Sequence, residues 1–296
     1  MMTFPRIAFA ALLSLVAASG VMAQERATIT TVNYPLQYIA ERLVGDAADV
    51  VFPVPQDVDP SFWRPSIADI SSIQSADLIL LNGAGFATWI DRVSLPRSKV
   101  VNTTASIEDR FIRTESITHS HGEGEEHSHE GTASYTWLDP MLAIAQAEAV
   151  AAALTARGIA PADEVSAQLD ALRLDLEALD ADNRAALESL QDTAIIATHP
   201  RYQYFAQRYS LSISSLEWEA GTMPTETERA DLVALIEQTG AQILIWEAEP
   251  PARAVQMATE LGLKNIVFAP LARGVEGQSF TEAYRDAVSS MAEPAL

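Results

Sequence analysis

The chain has 296 residues, with 19 Lys or Arg against 40 Asp or Glu and a formal net charge of −21 at pH 7. Apolar residues make up 48% of it, so it can bury one large or two medium cores, and a mainly disordered chain is excluded. The acidic balance argues against nucleic acid as a partner, because clustered Lys and Arg drive that binding. Since cysteine is absent, thiolate catalysis, disulfides and Cys-based zinc clusters are excluded, and any metal must take nitrogen and oxygen ligands.

The first 23 residues have the pattern of a secretory signal peptide. One cation, Arg6, precedes an apolar run from Ile7 to Ala18, and small residues end at Val21-Met22-Ala23. The run is shorter than the roughly 18 to 20 residues that a membrane-spanning helix needs. Cleavage after Ala23 is therefore favoured over a retained anchor, and we expect an exported protein.

Short apolar, β-rich runs alternate with stretches of helical periodicity in the rest of the chain. This alternation predicts an α/β fold with mostly parallel sheets flanked by helices. The predicted strands are Thr28–Val32, Val50–Val54, Leu78–Asn82, Ala194–Thr198, Ile243–Trp246 and Ile266–Phe268. Because ligands of open α/β sheets bind beyond the carboxyl ends of the strands, functional residues are expected there.

A long amphipathic helix is predicted between the two groups of strands. Apolar residues recur from Val165 to Leu190, mostly at spacings of three and four. The pattern predicts a rigid helix over 161–190 that joins an N-terminal lobe, residues 24–160, to a C-terminal lobe, residues 191–296. A core helix within a single domain is the alternative.

Residues 116–134 lack hydrophobic periodicity and are rich in Gly, Ser, Glu and His, which predicts a solvated loop. Two His-Ser-His units lie in it, formed by His119, His121, His127 and His129. In an extended chain residues i and i+2 point the same way, so each unit can offer two imidazoles to one ion. Nitrogen and oxygen ligands without sulfur suit Zn²⁺, with Mn²⁺ possible. A polar linker whose composition has drifted is the alternative.

The fifth histidine, His199, stands at the carboxyl end of the strand predicted over Ala194–Thr198. That position points a side chain into a ligand cleft. A structural histidine fits the same position equally well, and one imidazole cannot hold a metal, which needs three or four ligands.

Short motifs of recognisable spacing extend over nearly all of the chain after the signal peptide. They are Asn33-Tyr34-Pro35-Leu36, Asp59-Pro60-Ser61-Phe62-Trp63-Arg64-Pro65-Ser66, Asn82-Gly83-Ala84-Gly85, Trp137-Leu138-Asp139-Pro140, Thr198-His199 with Tyr204-Phe205-Ala206, and Glu247-Ala248-Glu249-Pro250. Together they resemble the periplasmic solute-binding proteins of zinc and manganese ABC transporters. The resemblance implies two α/β lobes joined by a rigid helix, with a metal held in the cleft between them. It also implies that the His-rich loop gathers metal.

The resemblance also implies four metal-ligand positions, and this chain departs from three of them. A His is usual after Asp-Pro, where this chain has Ser61, and two residues before the Trp of Trp-Leu-Asp-Pro, where it has Tyr135. The third ligand is retained as His199. An Asp is often found before Pro-Leu near the C-terminus, where this chain has Ala269.

Two interpretations of the cleft stay open. In the first, His199 binds a cation together with nearby carboxylates, for which the candidates are Asp59, Glu217, Glu219, Glu247 and Glu249. An oxygen-rich site would favour harder ions such as Mn²⁺ or bind more weakly, and Tyr135 would be a poor ligand because a phenol has a pKa near 10. In the second, the cleft has lost its metal site, and only the His-rich loop contacts metal.

The sequence therefore predicts an exported solute-binding protein that captures a divalent metal, zinc first, and delivers it to the membrane permease of an ABC transporter. The alternative is a scaffold whose cleft binds another solute or a protein, with Trp63, Trp137 and Trp218 as possible lining residues. A monomer is expected. No HExxH motif, Gly-x-Ser-x-Gly motif or Walker loop is present, so an enzyme is not expected.

Overall fold

Two groups of short apolar strands form two separate parallel sheets in the computed structural model, which describes residues 26–114 and 131–293. The predicted signal peptide and the four loop histidines lie outside the described residues. The strands are β1 (Ala27–Thr31), β2 (Ala48–Val51), β3 (Leu78–Leu81), β4 (Val100–Asn102), β5 (Arg113–Thr114), β6 (Gly131–Thr132), β7 (Ala194–Ala197), β8 (Ser212–Ser215), β9 (Ile243–Trp246) and β10 (Lys264–Val267).

Helices connect the strands and cover the sheets. They are α1 (Tyr34–Val44), α2 (Ile67–Ser75), α3 (Pro140–Ala156), α4 (Ala162–Leu187), α5 (Gln203–Tyr209), α6 (Glu226–Thr239), α7 (Ala252–Glu260) and α8 (Phe280–Ala292). Across residues 26–114 and 131–293, none is both long enough and apolar enough to cross a bilayer.

The two large sheets share one topology. The first has the order β2-β1-β3-β4 and the second β8-β7-β9-β10, and every neighbouring pair in both sheets is parallel. Counted from the start of each group, both read 2-1-3-4, so the strand order reverses between β1 and β3 and between β7 and β9. The predicted α/β class is confirmed, and the two reversal points are where ligands bind in open α/β sheets.

Local sequence explains where several helices begin. Ser66, Thr225 and Ser279 each accept a hydrogen bond from the backbone N–H three residues later, while an acidic side chain at that later position bonds back. These capping boxes satisfy two backbone donors that the first turn leaves unpaired. Asp139 caps α3 in a related way, because its side chain accepts from the backbone N–H of Met141 and Pro140 opens the helix.

The predicted long helix is present as α4, and a single turn of 3-10 helix, Glu188–Leu190, follows it. Its apolar face, which includes Val165, Leu172 and Leu176, belongs to one core cluster shared by residues of both sheets. The same helix contacts α1 and α3 of the N-terminal half and α5 and α8 of the C-terminal half. It therefore packs against both halves of the molecule, while the exact lobe limits at residues 160 and 190 stay a prediction.

Candidate functional site

Hydrogen bonds connect three backbone segments of the C-terminal half at the carboxyl ends of β7 and β9. The Thr198 N–H donates to the Ile245 carbonyl at 2.8 Å, and the Thr198 hydroxyl accepts from the Glu247 N–H at 3.1 Å. The Trp218 N–H donates to the Thr198 carbonyl at 2.8 Å. As a result His199, which follows β7, and Glu247, which follows β9, project from neighbouring strand ends at the reversal point of the second sheet.

The N-terminal half holds Tyr135 opposite this point through a buried polar network. Asn82, directly after β3, donates to the Ser134 carbonyl at 3.0 Å and accepts from Gln146 at 3.1 Å. Gln146 also donates to the Thr103 hydroxyl at 2.9 Å. Because Asn82 and Gln146 are almost fully buried, breaking this network would leave unpaired polar groups in the core, which fixes the segment that leads into Tyr135.

A guanidinium joins the two halves beside the cavity that Asp59 and Glu247 line. Arg201 Nη2 lies 3.0 Å from Asp59 Oδ2, and Arg201 Nε lies 3.2 Å from Glu247 Oε1. The Arg201 side chain is 9% exposed, that of Glu247 10% and that of Asp59 34%. Asp59 comes from the N-terminal half and Glu247 from the C-terminal half, so a single cation joins the two halves through both carboxylates.

Aromatic rings enclose the same guanidinium. Arg201 Cζ lies 4.7 Å from the centroid of the Tyr135 ring and 5.5 Å from that of Phe62, within the range of a cation–π contact. Burial acts to lower the pKa of Arg201, but Tyr135, Glu247 and Asp59 outweigh it, and the net pKa lies above the usual arginine value. Arg201 is therefore a permanent cation of the cleft.

Arg201 is not among the residues predicted from the sequence. Imidazoles and carboxylates are the side chains expected to bind a metal without cysteine, and a guanidinium is neither. A signal was present: His199-Pro200-Arg201 follows directly on a buried strand whose carboxyl end was already predicted to face the cleft. Its two partners lie 142 and 46 residues away in the chain, a pairing that no local pattern reveals.

Two contacts of Nδ1 orient the His199 ring. Its Nδ1 lies 3.0 Å from the Trp218 carbonyl oxygen and 3.3 Å from Glu247 Oε2. A carbonyl can only accept, so this bond places the proton of a neutral ring on Nδ1 and leaves the lone pair on Nε2. The side chain is 25% exposed, and an imidazole oriented in this way is ready to act as a ligand.

The other usual ligand positions offer no strong ligand. Ser61 is buried, and both its hydroxyl and its backbone N–H donate to Asp59 Oδ1, at 2.7 and 2.8 Å. Burial raises the pKa of the Tyr135 phenol well above its usual value, which keeps it protonated and unsuited to binding a metal as phenolate. Ala269 presents only a methyl group, and it lines a cavity of about 360 Å³ together with Asp59, Tyr135 and Glu247.

The candidate carboxylates divide into two groups. The structure brings Asp59 and Glu247 together around Arg201, close to His199, whereas Glu217, Glu219 and Glu249 are exposed. Within residues 26–114 and 131–293, no group of three or more His, Asp or Glu is arranged to hold a metal ion. The first interpretation of the cleft therefore lacks a preformed ligand cluster in the described part of the chain.

The three candidate tryptophans are mainly core residues. Trp63, Trp137 and Trp218 are 5%, 0% and 4% exposed. Trp137 packs edge-on against Phe86, and Trp218 packs against Trp246. Of the three, Trp63 also faces a surface groove.

Comparisons with known proteins agree with this architecture. The AdcA zinc-binding protein of Streptococcus pyogenes serotype M3 is 25% identical over 274 residues, covering 87% of this chain and 53% of the relative. The high-affinity zinc uptake system protein ZnuA of Bacillus subtilis is 24% identical over 258 residues, covering 82% of this chain and 78% of the relative. The chain thus spans about half the length of the AdcA relatives that it matches.

Solved structures share the fold. The Zn(II)-bound ZnuA-like domain of Streptococcus pneumoniae AdcA superposes with a TM-score of 0.75 at 19% identity, covering 90% of this chain and 98% of that one. The metal-dependent lipoprotein YcdH of Bacillus subtilis gives a TM-score of 0.74 at 20% identity over the same shares. The family model described as ZnuA, zinc-uptake complex component A, periplasmic, matches residues 29–294, and the chain therefore belongs to this family.

Proposed function

We propose that the protein is the solute-binding component of a zinc uptake system, which captures Zn²⁺ outside the cytoplasm and delivers it to the membrane permease of an ABC transporter. The observation that carries the proposal is His199, whose Nδ1 contacts the Trp218 carbonyl in the cleft of a zinc-uptake fold. Its Nε2 keeps a lone pair for the metal. A transport component of this kind needs no catalytic group, and we propose none.

The zinc ligands that we propose are imidazole nitrogens. His199 contributes from the cleft, and His119, His121, His127 and His129 contribute from the predicted loop. Zn²⁺ accepts nitrogen and oxygen ligands and prefers four of them, so Zn²⁺ is favoured over Mn²⁺, which prefers oxygen. The carboxylates of Asp59 and Glu247 are already engaged by Arg201.

Metal-stripped protein is expected to bind at least one Zn²⁺ at neutral pH. Changing the four loop histidines together to alanine should remove the weaker part of the binding, because ordering a loop around the ion costs about 1 kcal/mol per residue fixed. His199→Ala should lower the remaining affinity. Isothermal titration with Zn²⁺ and Mn²⁺, on wild type and on both variants, measures each contribution, and the two variants serve as controls for one another.

A second candidate function is favoured by the arrangement around Arg201. Because the guanidinium takes both cleft carboxylates and no three-ligand group is formed among the described residues, the cleft could serve another solute or a protein, with metal contacts confined to the loop. If His199→Ala leaves zinc binding unchanged while the loop variant abolishes it, this second function replaces the first at the cleft.

We also propose that export removes residues 1–23 and that the released protein is a monomer. The support for export is the n-region, apolar run and small residues of the signal pattern, together with the periplasmic description of the family. The exported protein is expected to begin at Gln24 and to run at the mass of one chain. N-terminal sequencing and light scattering measure the two, and a retained leader or a dimer mass would overturn the respective proposal.

A further inference from the structure

The charges of the cleft are arranged around a cation that belongs to the protein itself. Arg201 Nε and Nη2 are bonded to the same carbon, Cζ, and each faces a different carboxylate, at 3.2 Å from Glu247 and 3.0 Å from Asp59. The two carboxylates therefore converge on a single guanidinium. Two convergent carboxylates are also ligands that suit a divalent ion.

We propose that Arg201 is the resident cation of the cleft and that it excludes a divalent ion from the Asp59–Glu247 pair. The inference deepens the proposed function, on which it rests for the identity of the cargo, because it says which residue limits metal binding at the same site. Arg201 thereby confines the cleft's contribution to the His199 imidazole.

Moving the Arg201 guanidinium away from the two carboxylates would cost free energy. Its side chain is 9% exposed, and the rings of Tyr135 and Phe62 flank it at 4.7 and 5.5 Å. An ion entering the pair must either displace Arg201 from these contacts or sit beside a fixed positive charge in a poorly solvated cleft. Like charges repel more strongly there than in water, so both routes disfavour the metal.

Of the two carboxylate oxygens of Glu247, Oε1 faces Arg201. Glu247 Oε2 is buried and has no hydrogen-bond partner among the described residues, and it lies 3.3 Å from His199 Nδ1. Removing the guanidinium would free Asp59 Oδ2 and Glu247 Oε1 beside this unpaired oxygen. Carboxylate oxygens of this kind can bind Zn²⁺ or Mn²⁺.

The test is Arg201→Met, which keeps much of the side-chain volume without the charge, in a protein whose four loop histidines are alanine. In that background we expect the variant to bind Zn²⁺ at least about tenfold more tightly than its parent with Arg201 intact. Adding Glu247→Gln should abolish the gain. Equal affinity of Arg201→Met and the parent, measured by competition with a zinc-sensitive dye, would overturn the proposal.

Arg208→Met is the matched control. Arg208 Nε lies 2.7 Å from Asp180 and 3.7 Å from Asp139, and its side chain is 24% exposed, so it too joins two carboxylates, outside the cleft. We expect no gain in metal affinity from this change. A gain as large as that of Arg201→Met would show that any freed carboxylate pair binds zinc, and would overturn the assignment to the cleft.

A measurement on the parent protein tests the proposal even if Arg201→Met does not fold. With the loop histidines removed and Arg201 intact, Asp59→Asn should leave the affinity for Zn²⁺ unchanged, because the ion does not reach the carboxylate pair. A loss of affinity of about tenfold or more in Asp59→Asn would overturn the inference. Absence of zinc binding by the wild-type protein would instead contradict the proposed function, while a gain in Arg201→Met would still support the inference.

Discussion

Trp137→Ala is expected to lower the free energy of unfolding by about 3–5 kcal/mol, the usual range for deleting a large aromatic side chain from a core. Trp137 is fully buried, and its ring centroid lies 4.8 Å from that of Tyr135 and 5.2 Å from that of Phe86. Its Nε1–H also donates to the Pro270 carbonyl at 2.8 Å, across 133 residues of chain. The substitution therefore leaves a cavity and a lost hydrogen bond between the two halves.

Urea unfolding followed by circular dichroism measures the effect, and two variants calibrate it. Trp137→Phe keeps an aromatic ring but loses the bond to Pro270, so it should cost less than Trp137→Ala. Ile67→Ala removes an apolar side chain that is 85% exposed and should stay within about 0.5 kcal/mol of wild type. If Trp137→Ala costs no more than Ile67→Ala, the shared core is not organised around Trp137.

The hydrophobic pattern of the sequence predicted the central strands of the two large sheets well. The predicted Ile243–Trp246 coincides with β9, and Leu78–Asn82 is one residue longer than β3. These strands lie inside a sheet and are buried, so their sequences are continuous apolar runs, which is the strongest strand signal that a parallel sheet gives.

Of the four edge strands of the large sheets, β2 and β10 overlap predicted strands, whereas β4 and β8 gave the weakest signal. β8, with the sequence Ser-Ile-Ser-Ser, pairs with β7 alone, and β4 pairs with β3 alone. A strand that is paired on one side needs less apolar surface than a central strand, and β4 has three residues. Both were missed for this physical reason, because their assignment depends on a neighbour that is distant in sequence.

The candidate site was predicted in part. Strand ends located His199 and Glu247, because both follow central strands whose carboxyl ends meet at the reversal point of the second sheet. The exposure of Glu217, Glu219 and Glu249 could not be read from composition in so acidic a chain. Whether a carboxylate near a cleft is free or already neutralised depends on a cation brought from elsewhere in the fold, here Arg201.

Glu247→Ala is expected to destabilise the protein by about 3–5 kcal/mol, the cost of removing one partner of a buried ion pair. Arg201 would keep only Asp59, whose side chain is 34% exposed, while remaining 9% exposed itself. Most of this cost comes from the charge of the guanidinium, which is left poorly compensated. The destabilisation caused by Glu247→Ala should therefore be smaller in a protein that already carries Arg201→Met. Urea unfolding of the two single variants and the double variant forms a double-mutant cycle that measures this coupling.

An exposed pair supplies the comparison. Arg26 and Asp49 form an ion pair whose side chains are 53% and 50% exposed, and Asp49→Ala should cost less than about 1 kcal/mol because water screens such pairs. If Glu247→Ala costs no more than Asp49→Ala, or if the two cleft changes are additive, Arg201 is solvated in the cleft rather than bound there. The same result would contradict the proposal that Arg201 keeps Zn²⁺ away from Asp59 and Glu247. A guanidinium that is already solvated could be displaced by the ion at little cost in free energy.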